Sequence, residues 1–148
     1  MKQNDQIREA KELVNAMQSL RMDMRNYIRK KIKESELDLT YEMLQVLVVL
    51  WKNGDINQQE IADTISKNKA SLTSLLDNLT KRELIVRSED PADRRSKIIS
   101  LTKMGHDYKE ELDALLNGFY ETLKAGLSKT EIENASAVLT KMRENLWK

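Results

Sequence analysis

The chain has no cysteine and a single histidine, His106. Without thiols it forms no disulfide, no zinc–thiolate site and no iron–sulfur cluster, and it has no thiol redox sensor. With one histidine, neither a multi-histidine metal centre nor a His-based catalytic triad within one chain is expected. Glycine and proline are scarce, four and one in 148 residues, so turns are few and long helices are expected. Neither sign of charge dominates: 25 Lys and Arg face 24 Asp and Glu, a formal net charge of +1. That excludes a polybasic coating protein and an acidic disordered tail, but not a local charged patch. No apolar stretch approaches the roughly 18 residues of a membrane-spanning helix. The longest, Val46 to Trp51, is too short even for the core of a secretion signal, and the N-terminus is polar. The expected location is the cytoplasm, with no membrane partner. The length suits one domain with a substantial core.

The charge that is present is unevenly placed. Residues 1–36 carry a net +3, residues 37–65 a net −4, residues 66–103 a net +4 and residues 104–148 a net −2. The basic block at 66–103 holds nine basic and five acidic side chains, and is the first place to seek a polyanionic partner.

Apolar periodicity predicts a long first helix over residues 5–35, with Ile7, Ala10, Val14, Met17, Leu20, Met24, Tyr27 or Ile28, and Ile32 at three- and four-residue steps. Thr40 is a candidate cap for a second helix bearing Met43, Leu44, Leu47, Leu50 and Trp51, which Asn53-Gly54 ends. Asn57 and Glu60 have the spacing of a capping box, flanked by Ile56 and Ile61 as a hydrophobic staple, and start a short third helix. Ser66-Lys67-Asn68 interrupts. A fourth helix runs from Lys69 to Arg82 with Leu72, Leu75, Leu76 and Leu79 on one face.

The period then changes. Leu84–Ser88 and Lys97–Leu101 are short and β-branched, and the turn between them carries Asp90, Pro91, Asp93, Arg94 and Arg95. This is a β-hairpin with a basic tip. Thr102 can cap a fifth helix, striped by Tyr108, Leu112, Leu115, Leu116, Phe119 and Leu123. Ser128 and Glu131 form a second capping box, with Leu127 and Ile132 as staple. The sixth helix carries Ile132, Ala135, Val138, Leu139, Met142 and Leu146. Trp51 reads as core and Trp147 as C-terminal packing. His106 reads as a surface or interface residue.

Two short helices joined by a tight turn and followed by a hairpin make a winged helix-turn-helix. The fold class is mainly α with a small β wing and six helices. The second helix of such a pair fits a DNA major groove, and the hairpin reaches the neighbouring backbone or minor groove. With its leucines inward, the fourth helix turns out Ala70, Thr73, Ser74, Asp77 and Lys81, flanked by Ser71 and Asn78. These side chains can bond base edges and phosphates, although any exposed helix face is polar. Arg94 and Arg95 are the sharper signal, because a guanidinium suits phosphate and a narrow minor groove. Asp90 and Asp93 are expected to pair with these arginines and orient them. Asp77 either accepts from a cytosine amino group or pairs with Arg82 or a wing arginine. The expected DNA contacts are Gln58, Gln59, Lys69, Ser71, Thr73, Ser74, Asn78, Arg94, Arg95 and Lys97. Arg25, Arg29, Lys30, Lys31 and Lys33 on the first helix could touch phosphate flanking the site, but read first as a solvated face.

Gln59-Glu60-Ile61-Ala62, Leu72-Thr73-Ser74-Leu75-Leu76-Asp77-Asn78-Leu79, Leu84-Ile85-Val86-Arg87, Asp93-Arg94-Arg95-Ser96-Lys97 and Leu101-Thr102-Lys103-Met104-Gly105 together resemble the MarR family of multiple-antibiotic-resistance-type regulators. The likeness spans nearly the whole chain. It implies an obligate homodimer, paired through residues 1–36 and 104–148, with a winged helix-turn-helix at 37–103 in each subunit. It implies a regulator, expected to be a repressor, that binds a pseudo-palindromic operator in double-stranded DNA. It also implies release by a small amphipathic or aromatic effector, in a pocket at Met24, Tyr27, Met43 and Leu47, although each of these residues taken singly reads as plain core. Two positions depart from the family pattern. Glu83 stands where glycine is usual, at a cost of roughly 1 kcal/mol if the backbone there is left-handed. Ser74 stands where many members have arginine. No nucleophile–base pair or carboxylate dyad is visible, so no catalytic residue, metal site or cofactor is expected. A helical interaction module that does not bind DNA is the alternative; it accounts for the terminal helices and leaves the basic hairpin unexplained.

Overall fold

Each helix start marked in the sequence carries its cap in the computed structural model, which describes residues 2–148. In chain order the elements are α1 (Lys2–Glu34), α2 (Tyr41–Asn53), β1 (Ile56–Asn57), α3 (Gln58–Ile65), α4 (Lys69–Lys81), β2 (Ile85–Glu89), β3 (Lys97–Leu101), α5 (Lys103–Leu123) and α6 (Lys129–Asn145). Thr40 accepts from the Met43 N–H and Asn68 from the Ser71 N–H. Asn57 with Glu60, and Ser128 with Glu131, close reciprocal capping boxes. Each satisfies N–H groups that the helix itself leaves orphaned. The Glu131 carboxyl, bonded to the Ser128 backbone N–H, lies below its ordinary pKa. The predicted break between the third and fourth helices falls at Ser66, whose φ is 54°.

The hairpin β2–β3 lies where the β-branched runs predict it, paired antiparallel from Ile85↔Leu101 to Glu89↔Lys97. Strand β1 has no counterpart among the elements expected from sequence. It adds Ile56↔Ile99 and Asn57↔Ile98 to the far edge of β3, in the order β1-β3-β2. Two residues between a glycine turn and a helix cap have no period to detect.

The core gathers around α2. Met43, Leu44, Val46, Leu47, Val49 and Leu50 are all buried, and α1, α3, α4, α5 and β3 pack against the helix. Ile61, Leu72, Leu76 and Leu79 close it from the helix-turn-helix, Ile85 and Ile99 from the sheet, and Ile28, Ile32, Leu112 and Phe119 from α1 and α5. No helix is long and apolar enough to cross a membrane, among the described residues.

The basic run on α1 is not simply solvated. Arg25 and Arg29, one turn apart, both donate to one oxygen of Glu42 in the first turn of α2, at 2.6 and 2.9 Å. Both guanidinium groups also lie over the Tyr41 ring. Partial burial alone would raise the Glu42 carboxyl. Its own helix N–H and the two arginines outweigh that, and hold it below its ordinary value of 4.5. A lowered carboxylate pKa stabilises the fold above the unfolded-state value, and this contribution fades as pH falls through the folded-state one.

The junction between α4 and the wing is tight. Glu83 has φ 59°, so the position is left-handed and carries a side chain where glycine would relax it. Thr102 donates its hydroxyl to the Glu83 carbonyl at 2.5 Å and its N–H to the Leu84 carbonyl at 3.1 Å, and caps α5 by accepting from the Gly105 N–H. The Trp51 indole donates to the Gly105 carbonyl at 3.0 Å. Trp51 is therefore half-buried, a polar anchor as well as core.

The terminal helices are different. Ile7, Leu13, Val14, Met17 and Leu20 on α1, and Ile132, Val138 and Leu139 on α6, stand exposed in the single chain. Trp147 is 86% exposed, so within one chain it makes none of the packing expected of it.

A Cβ at Gly105 would lie 2.2 Å from the Leu84 carbonyl oxygen, which is backbone and cannot rotate away. Gly105→Ala is expected to lower stability by about 1–3 kcal/mol. Urea unfolding of the two proteins checks this, and an unchanged midpoint would contradict the close approach.

Candidate nucleic-acid interface

The residues singled out for DNA contact come from three elements, and folding brings six of them to one cleft. Gln58 and Gln59 stand at the N-terminus of α3, Lys69 and Thr73 on the first turns of α4, and Arg95 and Lys97 on the wing. They line a cleft of about 340 Å³, together with Ala62, Leu72, Asp93 and Ser96. The cleft runs between helix-turn-helix and wing because β1 pairs with β3 and so carries the start of α3 alongside the hairpin.

The inner wall is already hydrogen-bonded. Gln58 Nε2 donates to Thr73 Oγ1 at 3.0 Å, and the same hydroxyl donates to the Lys69 carbonyl at 2.8 Å. Thr73 is half-buried, and its hydroxyl braces α3 against α4. Gln59 Nε2 donates to Asp63 Oδ1 at 2.8 Å. Ser71, Ser74 and Asn78 lie on the open face of α4 outside this cleft. They line a second hollow of about 250 Å³ with Thr40, Glu42, Met43, Lys67 and Leu75.

The wing tip differs from its expected wiring. Asp93 accepts from the Arg95 backbone N–H and Asp90 from the Ala92 N–H, so both aspartates shape the turn through backbone bonds rather than gripping side chains. Among the described residues neither Arg94 nor Arg95 has a carboxylate within ion-pair distance, and both are exposed. Lys97 lies 3.8 Å from Glu89 on the neighbouring strand.

Asp77, for which the sequence allows two roles, pairs with Arg87 of β2, while Arg82 turns to Asp38 in the α1–α2 connection. The carboxylate on the outward face of α4 is thereby matched by a strand arginine. An anionic partner meets a neutral pair there instead of a bare negative charge.

The four residues expected to share an effector pocket separate. Met43 is 4% and Leu47 0% exposed, and both belong to the core of α2. Met24 and Tyr27 line an apolar cavity of about 150 Å³ with Leu20, Asp23, Phe119, Thr122 and Leu123. Tyr27 forms its wall, with its ring against Phe119 and its hydroxyl 3.3 Å from Thr122 Oγ1.

Helix-turn-helix, three-stranded wing and a basic cleft between them define a winged-helix transcription regulator. Residues 39–97 match the profile of the MarR family. Along the chain the likeness is broad. It is 27% identical over 130 residues to the transcriptional repressor MprA of Escherichia coli K12, covering 88% of this chain and 72% of that protein. To the HTH-type transcriptional regulator YwaE of Bacillus subtilis it is 27% identical over 137 residues, 93% of this chain and 77% of the relative. Among solved structures, the S. aureus MepR–DNA complex superposes with a TM-score of 0.78 at 28% identity, over 89% of this chain and 96% of that one. The fold is also that of apo MarR from E. coli, with a TM-score of 0.74 at 21% identity over 88% and 95% of the two chains. The family profile, these relatives and these structures together support a winged-helix regulator of the MarR kind.

Thr73→Ala removes the brace between α3 and α4. It is expected to cost roughly 1 kcal/mol of stability and to weaken binding to any duplex similarly. Melting curves and binding to matched and scrambled duplexes check this. Loss of preference at one base pair with unchanged stability would return Thr73 to direct base readout.

Proposed function

We propose that this protein is a homodimeric repressor that binds a pseudo-palindromic operator in double-stranded DNA. The cleft between α4 and the wing carries this reading, because it joins Gln58, Gln59, Lys69, Arg95 and Lys97 beside Arg94, and neither arginine has a carboxylate within ion-pair distance among the described residues. In the dimer, two α4 helices enter successive major grooves about 34–36 Å apart. Ser71, Ser74 and Asn78 on the open face meet base edges or nearby phosphates. Arg94 and Arg95 take phosphate and the adjacent minor groove. Without an arginine at position 74, base readout is modest, and the wings carry much of the affinity. The repressor named MprA and the DNA-bound MepR support the same reading.

Residues 1–36 and 104–148 form the pairing region, and 37–103 the DNA-reading domain. The exposed apolar stripes of α1 and α6 support this, since one small domain leaves them uncovered. The cavity beside Met24 and Tyr27 suits a small aromatic or amphipathic effector, which would lower DNA affinity by favouring a subunit spacing that mismatches the half-sites. The protein works in the cytoplasm, without a cofactor or catalytic activity of its own.

Sedimentation equilibrium at micromolar concentration is expected to give the mass of two chains; a folded monomer would overturn the pairing. Arg95→Ala is expected to weaken specific and non-specific binding together. It should also reduce the slope of log K against log salt by roughly 0.9 for each phosphate that is no longer neutralised. Isotherms at several salt concentrations on an operator and a scrambled duplex decide this. An unchanged slope on both would remove the wing from the interface.

A further inference from the structure

Asp38 and Glu42, at the start of the acidic segment 37–65, lie outside the cleft between α4 and the wing, with Glu42 at the edge of the hollow beside Ser71, Ser74 and Asn78. These two carboxylates make the longest-range ionic contacts among the described residues. Glu42 receives Arg25 and Arg29 from α1, and its side chain is 23% exposed. Four residues earlier, Asp38 receives Arg82, the C-cap of α4, at 2.9 Å through its carboxylate and also through its backbone carbonyl. One short stretch of chain therefore joins the long helix to the end of the helix that faces DNA. Beyond these ion pairs, α1 joins the core through the buried Ile28 and Ile32. Apolar packing is non-directional and tolerates a small rotation. Two guanidinium groups converging on one carboxylate oxygen are directional and short. The ring of Tyr41 beneath both arginines restricts them further.

We infer that Glu42 is a positioning residue: held by Arg25 and Arg29, it fixes the angle of the DNA-reading domain on α1 and so sets which half-site separation the dimer accepts. This rests on the dimer-and-operator reading above. Glu42 needs no contact with DNA for the role. Releasing it leaves each reading domain intact while the two domains are no longer held at a fixed separation.

The probe is a duplex carrying the pseudo-palindrome that the wild-type protein selects from a random pool. Derivatives have one or two base pairs inserted at, or removed from, its dyad. Wild type is expected to bind the altered spacings about tenfold or more weakly. Glu42→Gln should compress that discrimination to about twofold or less, with affinity for a scrambled duplex within about twofold of wild type. The Arg25→Gln/Arg29→Gln double variant should behave the same way, and the near-UV spectrum of each variant should remain that of a folded protein. A sharp spacing profile in wild type that survives in both variants overturns the inference alone. A flat profile in wild type overturns the operator reading and the inference with it. Equal loss on all duplexes, scrambled included, assigns Glu42 to domain integrity and also overturns the inference.

Discussion

Burial of α2 is the constraint from which the arrangement of the other elements follows. Six of its thirteen residues are buried, and α1, α3, α4, α5 and β3 all pack on it. A helix covered on so many sides cannot present a binding surface of its own. Its role is to hold the others at fixed angles, and each turns its apolar face to it. What α3 and α4 keep for solvent is their polar side, and this puts Gln59, Lys69, Ser71, Ser74 and Asn78 on the outside. Truncating a fully buried leucine in such a core costs about 2–5 kcal/mol, so Leu47 and Leu50 constrain the interface more strongly than any residue within it.

Charge is sorted by the same architecture. The formal balance of the chain is nearly zero, yet the carboxylates and cations are not used alike. Glu42, Asp38 and Asp77 are engaged by Arg25 and Arg29, by Arg82, and by Arg87, contacts that join one element to another. Asp90 and Asp93 accept from backbone N–H groups in the wing turn. Among the described residues Arg94 and Arg95 are left over. Exposed pairs contribute at most about 1 kcal/mol each, so the sorting matters less for stability than for where an uncompensated positive potential appears. It appears at the wing tip, beside the polar face of α4.

Much of the fold could be read directly because its signals are local. A cap, a capping box or a staple needs only residues three to five apart, so the starts of α2, α3, α5 and α6 follow from sequence. The β-branched runs on either side of a Pro-containing turn gave the hairpin in the same way. Contacts between distant segments were not legible. The Gln58–Thr73 brace and the β1 edge strand each depend on how two elements approach, as does the choice of Arg87 for Asp77, which the sequence left open between Arg82 and a wing arginine. Periodicity also fails where apolar residues surround a helix. Val46 and Val49 are buried along with Leu47, so the pattern of α2 could not separate residues turned toward the Met24–Tyr27 cavity from residues turned into the core. The separation of Met43 and Leu47 from Met24 and Tyr27 is a consequence. Trp147 misled for the opposite reason, since a large apolar side chain is ordinarily read as packed within its own chain.

The helix-turn-helix and the wing are braced against moving separately. Gln58 with Thr73 holds α3 to α4, Asp77 with Arg87 holds α4 to β2, and β1 on β3 holds the start of α3 to the wing. At the back, Thr102, Gly105 and Trp51 lock the left-handed turn at Glu83 against α2 and α5. Helix and wing therefore behave as one body. Altering the angle between them would break several hydrogen bonds and an ion pair at once. The attachment of that body to α1 is narrower, an apolar contact at Ile28 and Ile32 with one ionic tie at Glu42. The cavity lined by Met24, Tyr27 and Phe119 adjoins that same attachment. A ligand bound there would shift the angle between that body and α1 only by the difference in its affinity for two such angles, because a ligand moves an equilibrium by nothing else.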